Sequence, residues 1–338
     1  MRLLVLGGTH FVGRAIVEAA LRRRDEVTVL NRGSSRPSPD GVTPLVADRL
    51  DPESVRRVLG NREWDAAIDT WTGAPVHVQQ ACRLLADRVD HYGYVSSRSV
   101  YTWPIPRRAD ERAPVVDAAP DDGAVGDYRR VKRGGELAAV ETFGDRALAA
   151  RAGVVLGPYE NTGRLTWWLG RARRGGPVLA PGAPDQPVQY VDVRDLAGWM
   201  LSAADRRIGG TYNVISRPGH TTMGELLGTV IDVTRGGAEL VWAPAGLIRE
   251  QDISPFTDLP IWLPDDEEHG GWHDGDVTAA CEAGLVCRPV RATVADTWAW
   301  LQAEGEPPRP PGRQGVGLDP RRERRALAAL RAETSRPC

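Results

Sequence analysis

The opening stretch Leu3-Leu4-Val5-Leu6-Gly7-Gly8-Thr9-His10-Phe11-Val12-Gly13 leaves little freedom to the chain that follows it. Leu3 to Leu6 is a continuous apolar run and reads as a buried parallel strand, Gly7 and Gly8 as a tight turn, and Arg14 to Arg23 as a helix. Ala15, Ile16, Ala19 and Ala20 fall on one face of that helix. A strand, a glycine turn and a helix in this order make a phosphate cradle. Backbone N–H groups at the helix N-terminus carry about half a positive charge, and glycine lets an anion approach them. Gly7, Thr9, His10, Phe11, Val12 and Gly13 are therefore the expected contacts of a dinucleotide pyrophosphate.

The cradle opens a series of alternating strands and helices. Glu26 to Leu30, Thr43 to Val46, Ala66 to Asp69, Tyr92 to Val95, Arg146 to Arg151 and Thr211 to Val214 read as further strands. Pro52 to Leu59 and Pro75 to Arg88 read as helices, the first with Asp51 and Pro52 as its N-terminal signal. This alternation implies an α/β fold with a doubly wound parallel sheet of the Rossmann type. The end of the second strand should meet the adenosine ribose, where an acid would accept from a 2′-hydroxyl and an arginine would suit a 2′-phosphate. The chain offers Asn31, Arg32, Ser35 and Arg36 there and no acid, so NADP(H) is expected, with NAD(H) as the alternative. Thr70 follows the fourth strand at its carboxyl end, where open α/β sheets bind ligands.

Composition removes several other classes. The 338 residues carry 43 Lys and Arg against 45 Asp and Glu, a net charge of −2, so no strong field for nucleic acid or an anionic membrane is built in. No apolar run approaches the roughly 18 residues of a membrane span and no leader precedes the first strand, from which a cytoplasmic protein is expected. Cys82, Cys281, Cys287 and Cys338 show no CxxC pairing, and Gly270 and Gly271 interrupt the spacing of His269 and His273. No metal site is expected.

One fact of composition is sharper. Lys132 is the only lysine in the chain, and the other 42 basic residues are arginine. Lysine offers a compact charge that shifts its pKa, which the forked guanidinium does not. Lys132 lies four residues after Tyr128 in a segment that reads as a helix to about Phe143, so the two share a face. Chance would place a sole lysine four after a tyrosine roughly one time in fifty. A phenol of pKa near 10 becomes a useful acid or base at neutral pH only beside a cation of this kind.

Gly7, Gly13, Ser97, Tyr128 and Lys132, in this order, resemble the short-chain dehydrogenase/reductase superfamily in its extended or atypical form, the NAD(P)-dependent epimerase/dehydratase-like group. The middle glycine of that group's Gly-x-x-Gly-x-x-Gly cradle is His10 here. Ser96-Ser97-Arg98-Ser99-Val100-Tyr101 is similar to its Ser-Ser-x-x-Val-Tyr stretch, and Tyr128 with Lys132 to its Tyr-x-x-x-Lys pair. Asp48-Arg49 resembles its adenine-contacting loop, and Gly284, Leu285, Arg288 and Pro289 its terminal turn.

The resemblance implies a nicotinamide-dependent oxidoreductase acting on a carbonyl or hydroxyl of a small metabolite or keto sugar. Ser97, Tyr128 and Lys132 would be catalytic, and Lys132 would also hold the nicotinamide ribose. Ser97, Arg98, Tyr128 and Trp262 would meet the substrate, and Asp195 would be structural. A nucleotide-sugar epimerase with bound NAD is the alternative, a dehydratase a weaker one because Arg98 and Ser99 replace its acids, and a non-catalytic cofactor- or RNA-binding relative a third.

The expected domains are residues 1–156, completed by about 186–215, for the cofactor, and 157–185 with 216–303 for a smaller substrate domain. Residues 304–338 read as a Pro/Gly linker and a basic helix, solvated or at an interface. Small-molecule partners are expected, nucleic acid and membrane are not, and a homodimer is an expectation of the resemblance.

Overall fold

Short apolar runs bounded by Gly, Asp or Pro become the parallel strands. In the computed structural model, which describes residues 1–34, 39–306 and 315–334, the chain runs β1 (Arg2–Leu6), α1 (Phe11–Arg22), β2 (Glu26–Asn31), β3 (Thr43–Val46), α2 (Pro52–Leu59), β4 (Trp64–Asp69), α3 (Pro75–Leu85) and β5 (Val89–Ser97). It continues through α4 (Tyr128–Phe143), β6 (Ala147–Ala152), β7 (Val154–Leu156), α5 (Arg164–Arg173), β8 (Gly176–Pro181), β9 (Tyr190–Asp192) and α6 (Val193–Asp205). Last come β10 (Gly210–Val214), α7 (Met223–Thr234), β11 (Ala238–Ala243), α8 (Ala245–Glu250), α9 (Thr278–Glu282), α10 (Val290–Glu304) and α11 (Pro320–Thr334).

A seven-stranded sheet has the order β3-β2-β1-β4-β5-β6-β10, all parallel. Strand periodicity sends alternate side chains to its two faces. Leu3, Val5, Val29 and Ile68 pack with Ile16 of α1 and Met200 of α6. Leu4, Leu6, Leu30 and Ala67 pack with Val78 of α3 and Phe143 of α4. Each such fully buried Leu or Ile is worth about 2 kcal/mol. The order steps from β1 to β2 on one side and from β1 to β4 on the other, which opens a crevice at the carboxyl ends of the strands.

A second core lies on the carboxyl side of the chain. Two small parallel sheets, β7 with β9 and β8 with β11, surround Trp168, Leu179, Tyr190, Leu227, Trp262 and Val294. The basic C-terminal helix docks here: Glu323 accepts from Arg171 Nε at 2.7 Å and from the Leu179 backbone at 3.2 Å, and Ala326 and Leu327 are buried. Its arginines thus flank an apolar seam instead of forming an arm. Asp195 holds Arg288 through its backbone N–H, Nε and Nη2 at 2.6–2.8 Å, which gives the Gly-Leu-x-x-Arg-Pro turn its physical partner. No helix among the described residues is long and apolar enough to cross a membrane.

His273 sets a pH limit on this core. Its Nδ1 accepts from the Gln189 backbone at 3.1 Å, so Nε2 donates to the Ile261 carbonyl at 3.0 Å. Burial, with the Arg98 cation adding to it, pushes its pKa from the ordinary 6.5 to about 4. Between these values the unfolded chain binds a proton that the folded chain refuses, so stability falls as pH falls. Urea unfolding at pH 5 is expected to show about 2 kcal/mol less stability from this group than at pH 7. His273→Gln should flatten that slope; an unchanged slope would refute the assignment.

Candidate active site

The site is assembled at the carboxyl ends of β1, β2, β4 and β5. Gly7 lies at φ +120°, in the region that favours glycine, and a Cβ on it would stand 2.3 Å from Thr70 Oγ1. One on Gly13 would stand 2.6 Å from the Gly8 nitrogen. Thr70 donates to the Leu6 carbonyl at 3.0 Å and so braces the turn from β4. His10, extended at φ −129°, is the N-cap of α1 and supplies no side-chain cap, so the first N–H groups of the helix look into the crevice. This cradle fits a pyrophosphate. Phe11 is 9% exposed and joins the sheet core with Val12 against it, so they have their backbone to offer a cofactor. Thr9 is half-buried and His10 exposed at the mouth.

At the adenosine end, Asn31 Oδ1 accepts from the Gly33 backbone at 2.7 Å and shapes the turn that carries exposed Arg32. Ser35 and Arg36 lie outside the described residues. Asp48 is exposed beyond β3, its Oδ1 accepting from the Leu50 backbone at 3.0 Å. Val46 and Leu50 flank it at 59% and 52% exposure, two apolar surfaces suited to a flat base. Sequence reading passes over them because a strand-end valine and a loop leucine look like ordinary core.

Arg49 needs correcting. Its Nη1 and Nη2 bind Asp69 at 2.6 and 2.5 Å, and its Nε donates to the His77 carbonyl at 3.2 Å, all beneath the surface. Asp69 also accepts from Tyr92 Oη at 2.5 Å and from the Trp71 backbone at 2.9 Å. Burial alone would raise the Asp69 carboxyl; the Arg49 guanidinium overrides it and holds it below the usual carboxylate range. Arg49 is thus the buried counter-ion of Asp69.

The chemical end is built on β5 and α4. Ser97, the last residue of β5, is 9% exposed, with Oγ 2.5 Å from Ser99 Oγ and accepting from the Ser99 backbone at 3.2 Å. Asp127 caps α4 by accepting from Arg129 N at 2.9 Å, and this starts the helix at Tyr128, 43% exposed. One turn on, Lys132 is 1% exposed and donates to the carbonyls of Trp71 at 2.5 Å and Val95 at 2.7 Å. Its ammonium stands 6.0 Å from the centre of the Tyr128 ring and 4.7 Å from that of Tyr94.

One further turn along the same face, buried Glu136 accepts from Ser96 Oγ at 2.6 Å, Arg151 at 2.9 Å and Arg133 at 2.9 Å. Burial would raise its carboxyl, and Arg151 more than offsets that, keeping it ionised. The Tyr128, Lys132, Glu136 face is therefore charged and fixed against β5 and β6. Glu136 escaped the sequence reading, although an acid at the next helical turn from a buried lysine was the available signal.

Two expected substrate contacts prove to be interior. Arg98 is 1% exposed and donates to the carbonyls of Trp272 at 2.5 Å and Gly271 at 3.2 Å. Burial pushes its pKa down to about 10, and it has no ion-pair partner among the described residues. Trp262 is 1% exposed and donates from Nε1 to Gln186 Oε1 at 2.9 Å, deep in the second core. Among the described residues no cluster of His, Cys, Asp and Glu could hold a metal ion.

The NAD dependent epimerase/dehydratase family model matches residues 3–214. The chain is 27% identical over 242 residues to a 3-diazoavenalumate denitrifying reductase of a Streptomyces species, a match that covers 63% of this chain and 75% of that protein. It is 30% identical over 227 residues to the 2'-dehydrokanamycin reductase of Streptomyces kanamyceticus, covering 64% of this chain and 62% of that one. The solved structure of the Bordetella bronchiseptica enzyme WbmH in complex with NAD+ shares the fold, with a TM-score of 0.68 at 18% identity over 90% of this chain and 99% of its own. The family match runs from within β1 to the end of β10 and takes in Ser97, Tyr128 and Lys132. The chain belongs to the NAD dependent epimerase/dehydratase family and is an NAD(P)-dependent enzyme of the oxidoreductase or epimerase type.

Proposed function

We propose that the protein is an NADP(H)-dependent reductase or dehydrogenase acting on a carbonyl or hydroxyl of a small metabolite or keto sugar. The observation that carries this reading is the buried Lys132 ammonium one helical turn below Tyr128, with Ser97 ending the neighbouring strand. The bound nicotinamide supplies the hydride. In reduction, Tyr128 Oη gives its proton to the carbonyl oxygen as negative charge builds there, and Lys132 stabilises the phenolate left behind. Ser97 Oγ donates a second hydrogen bond to the same oxygen. Lys132, held by the Trp71 and Val95 carbonyls, also orients the nicotinamide ribose. The names of two curated relatives, both reductases, support this direction.

Selection of NADP(H) rests on Arg32, exposed at the end of β2, with Ser35 and Arg36 beyond it. Denaturing the purified protein and identifying any released nicotinamide tests the reading, followed by titration with NADP+ and NAD+. An empty protein preferring NADP+ is expected, and Arg32→Ala should erase about tenfold to a hundredfold of that preference, the worth of a charge-assisted bond to phosphate. Stoichiometric, tightly held NAD would overturn it in favour of a nucleotide-sugar epimerase, the reading that solved neighbours named UDP-glucose 4-epimerase support. A homodimer and a cytoplasmic location complete the proposal.

A further inference from the structure

A hydroxyl donates one hydrogen bond and accepts two, so the single proton of Ser97 can serve one partner only. Ser97 Oγ accepts from the Ser99 backbone at 3.2 Å and stands 2.5 Å from Ser99 Oγ, a contact in which either hydroxyl can be the donor. With Ser99 as donor, the two bonds that Ser97 accepts both come from Ser99 and its own proton is left for a ligand. With Ser97 as donor, that proton is spent inside the turn and the Ser99 proton has no acceptor among the described residues. Ser96, the neighbour on the strand, is already committed, because its Oγ donates to the buried Glu136 carboxylate at 2.6 Å. The turn that carries Ser99 is held on both sides. Arg98 donates to the carbonyls of Gly271 and Trp272, the carbonyl of buried Val100 accepts from the Val116 backbone at 2.8 Å, and Tyr101 Oη donates to Asn213 Oδ1 at 2.7 Å. Ser99 therefore meets Ser97 in a geometry that the surrounding fold fixes before any ligand arrives.

We propose that Ser99 is a positioning residue: its hydroxyl donates to Ser97 Oγ and, together with its own backbone N–H, turns the Ser97 proton toward the substrate oxygen. This rests on the reductase reading, in which Ser97 donates to the reacting carbonyl oxygen, and deepens it. In this direction each proton of the pair has an acceptor once the substrate oxygen is in place, and a hydroxyl that accepts hydrogen bonds is polarised into a stronger donor. The gain grows as negative charge builds on the substrate oxygen, so it belongs to kcat and not to KM.

Neutron diffraction from crystals of the protein exchanged into heavy water reads the arrangement directly. The expected result is a deuteron on Ser99 Oγ aimed at Ser97 Oγ, with the Ser97 deuteron turned away from Ser99. A deuteron on Ser97 lying between the two oxygens overturns the proposal. This arm needs no reaction, so it decides the matter even where the reductase reading falls. The kinetic arm follows NADPH oxidation with dihydroxyacetone, the smallest keto sugar. Ser99→Ala is expected to lower kcat about tenfold with KM unchanged within about twofold, against about a hundredfold for Ser97→Ala. Ser99→Thr, which keeps the hydroxyl, should return kcat to within about threefold of wild type. Added to Ser97→Ala, Ser99→Ala should cost less than about twofold more, because no hydroxyl is left to orient. A fully active Ser99→Ala variant, a threonine variant no better than the alanine one, or equal losses in the two backgrounds overturns the positioning role. Conversion of UDP-glucose to UDP-galactose without reduction of dihydroxyacetone refutes the reductase reading alone, and the same variants are then compared on that conversion with the same expected losses.

Discussion

Tyr128→Phe is expected to lower kcat/KM about a thousandfold for every carbonyl acceptor that the wild type reduces, the upper range of what a positioned acid contributes. Cofactor affinity should stay within about twofold. The hydroxyl sits on the first residue of α4, 43% exposed, where its removal opens no cavity. Asp127 still caps the helix and Lys132 still holds the Trp71 and Val95 carbonyls, so the cradle and the ribose site survive. Lys132→Met behaves differently. It removes the cation that favours the phenolate and takes the ammonium from the Trp71 and Val95 carbonyls, leaving Trp71 only the 3.3 Å bond from the Tyr94 hydroxyl, so NADP(H) affinity and turnover should fall together. Steady-state rates alongside fluorescence titration of NADPH separate the two. A Phe variant that keeps more than a tenth of the activity would remove Tyr128 from the chemistry.

The parallel sheet was legible because buried parallel strands are written as unbroken apolar runs. Thr43–Val46 and Pro52–Leu59 could be read to the residue, the second because Asp51 and Pro52 announce a helix start. Tyr128 and Lys132 stood out because one lysine among so many arginines cannot be a solubility choice. What stayed hidden depends on partners far away in sequence. Asp48 and Arg49 are neighbours, yet one faces solvent and the other is buried against Asp69 twenty residues later. Arg98 looked like a substrate contact beside Ser97 until the carbonyls of Gly271 and Trp272 appeared above it. β8 contains Gly176, Pro177 and Pro181, residues that argue against a strand, and it forms because β11 and Glu323 meet its edge. The short helix α8 sits in a Pro- and Trp-rich stretch that reads as loop.

The larger effect on stability belongs to Asp69. Asp69→Asn keeps the volume and removes the charge that compensates Arg49, whose side chain is 9% exposed and surrounded by Trp71, His77 and Tyr92. A buried pair broken from one side costs about 3–5 kcal/mol, because the surviving charge stays in a poorly polarisable place. Urea unfolding at neutral pH should show a loss of that order. Arg49→Met with Asp69→Leu in one chain should recover part of it, since both charges are removed while the Tyr92 hydroxyl and the Trp71 N–H lose their acceptor. The effect also reaches the chemistry. Trp71 donates from its backbone to Asp69 and accepts from Lys132 at its carbonyl, so the carboxylate and the Lys132 ammonium share one peptide segment. Asp69→Asn is therefore expected to weaken NADPH binding severalfold even at temperatures where the variant is fully folded, and the double replacement should restore part of the stability without restoring that affinity. A single variant that loses less than about 1 kcal/mol, or a double variant that regains both properties, would show that the pair does no more than fill space.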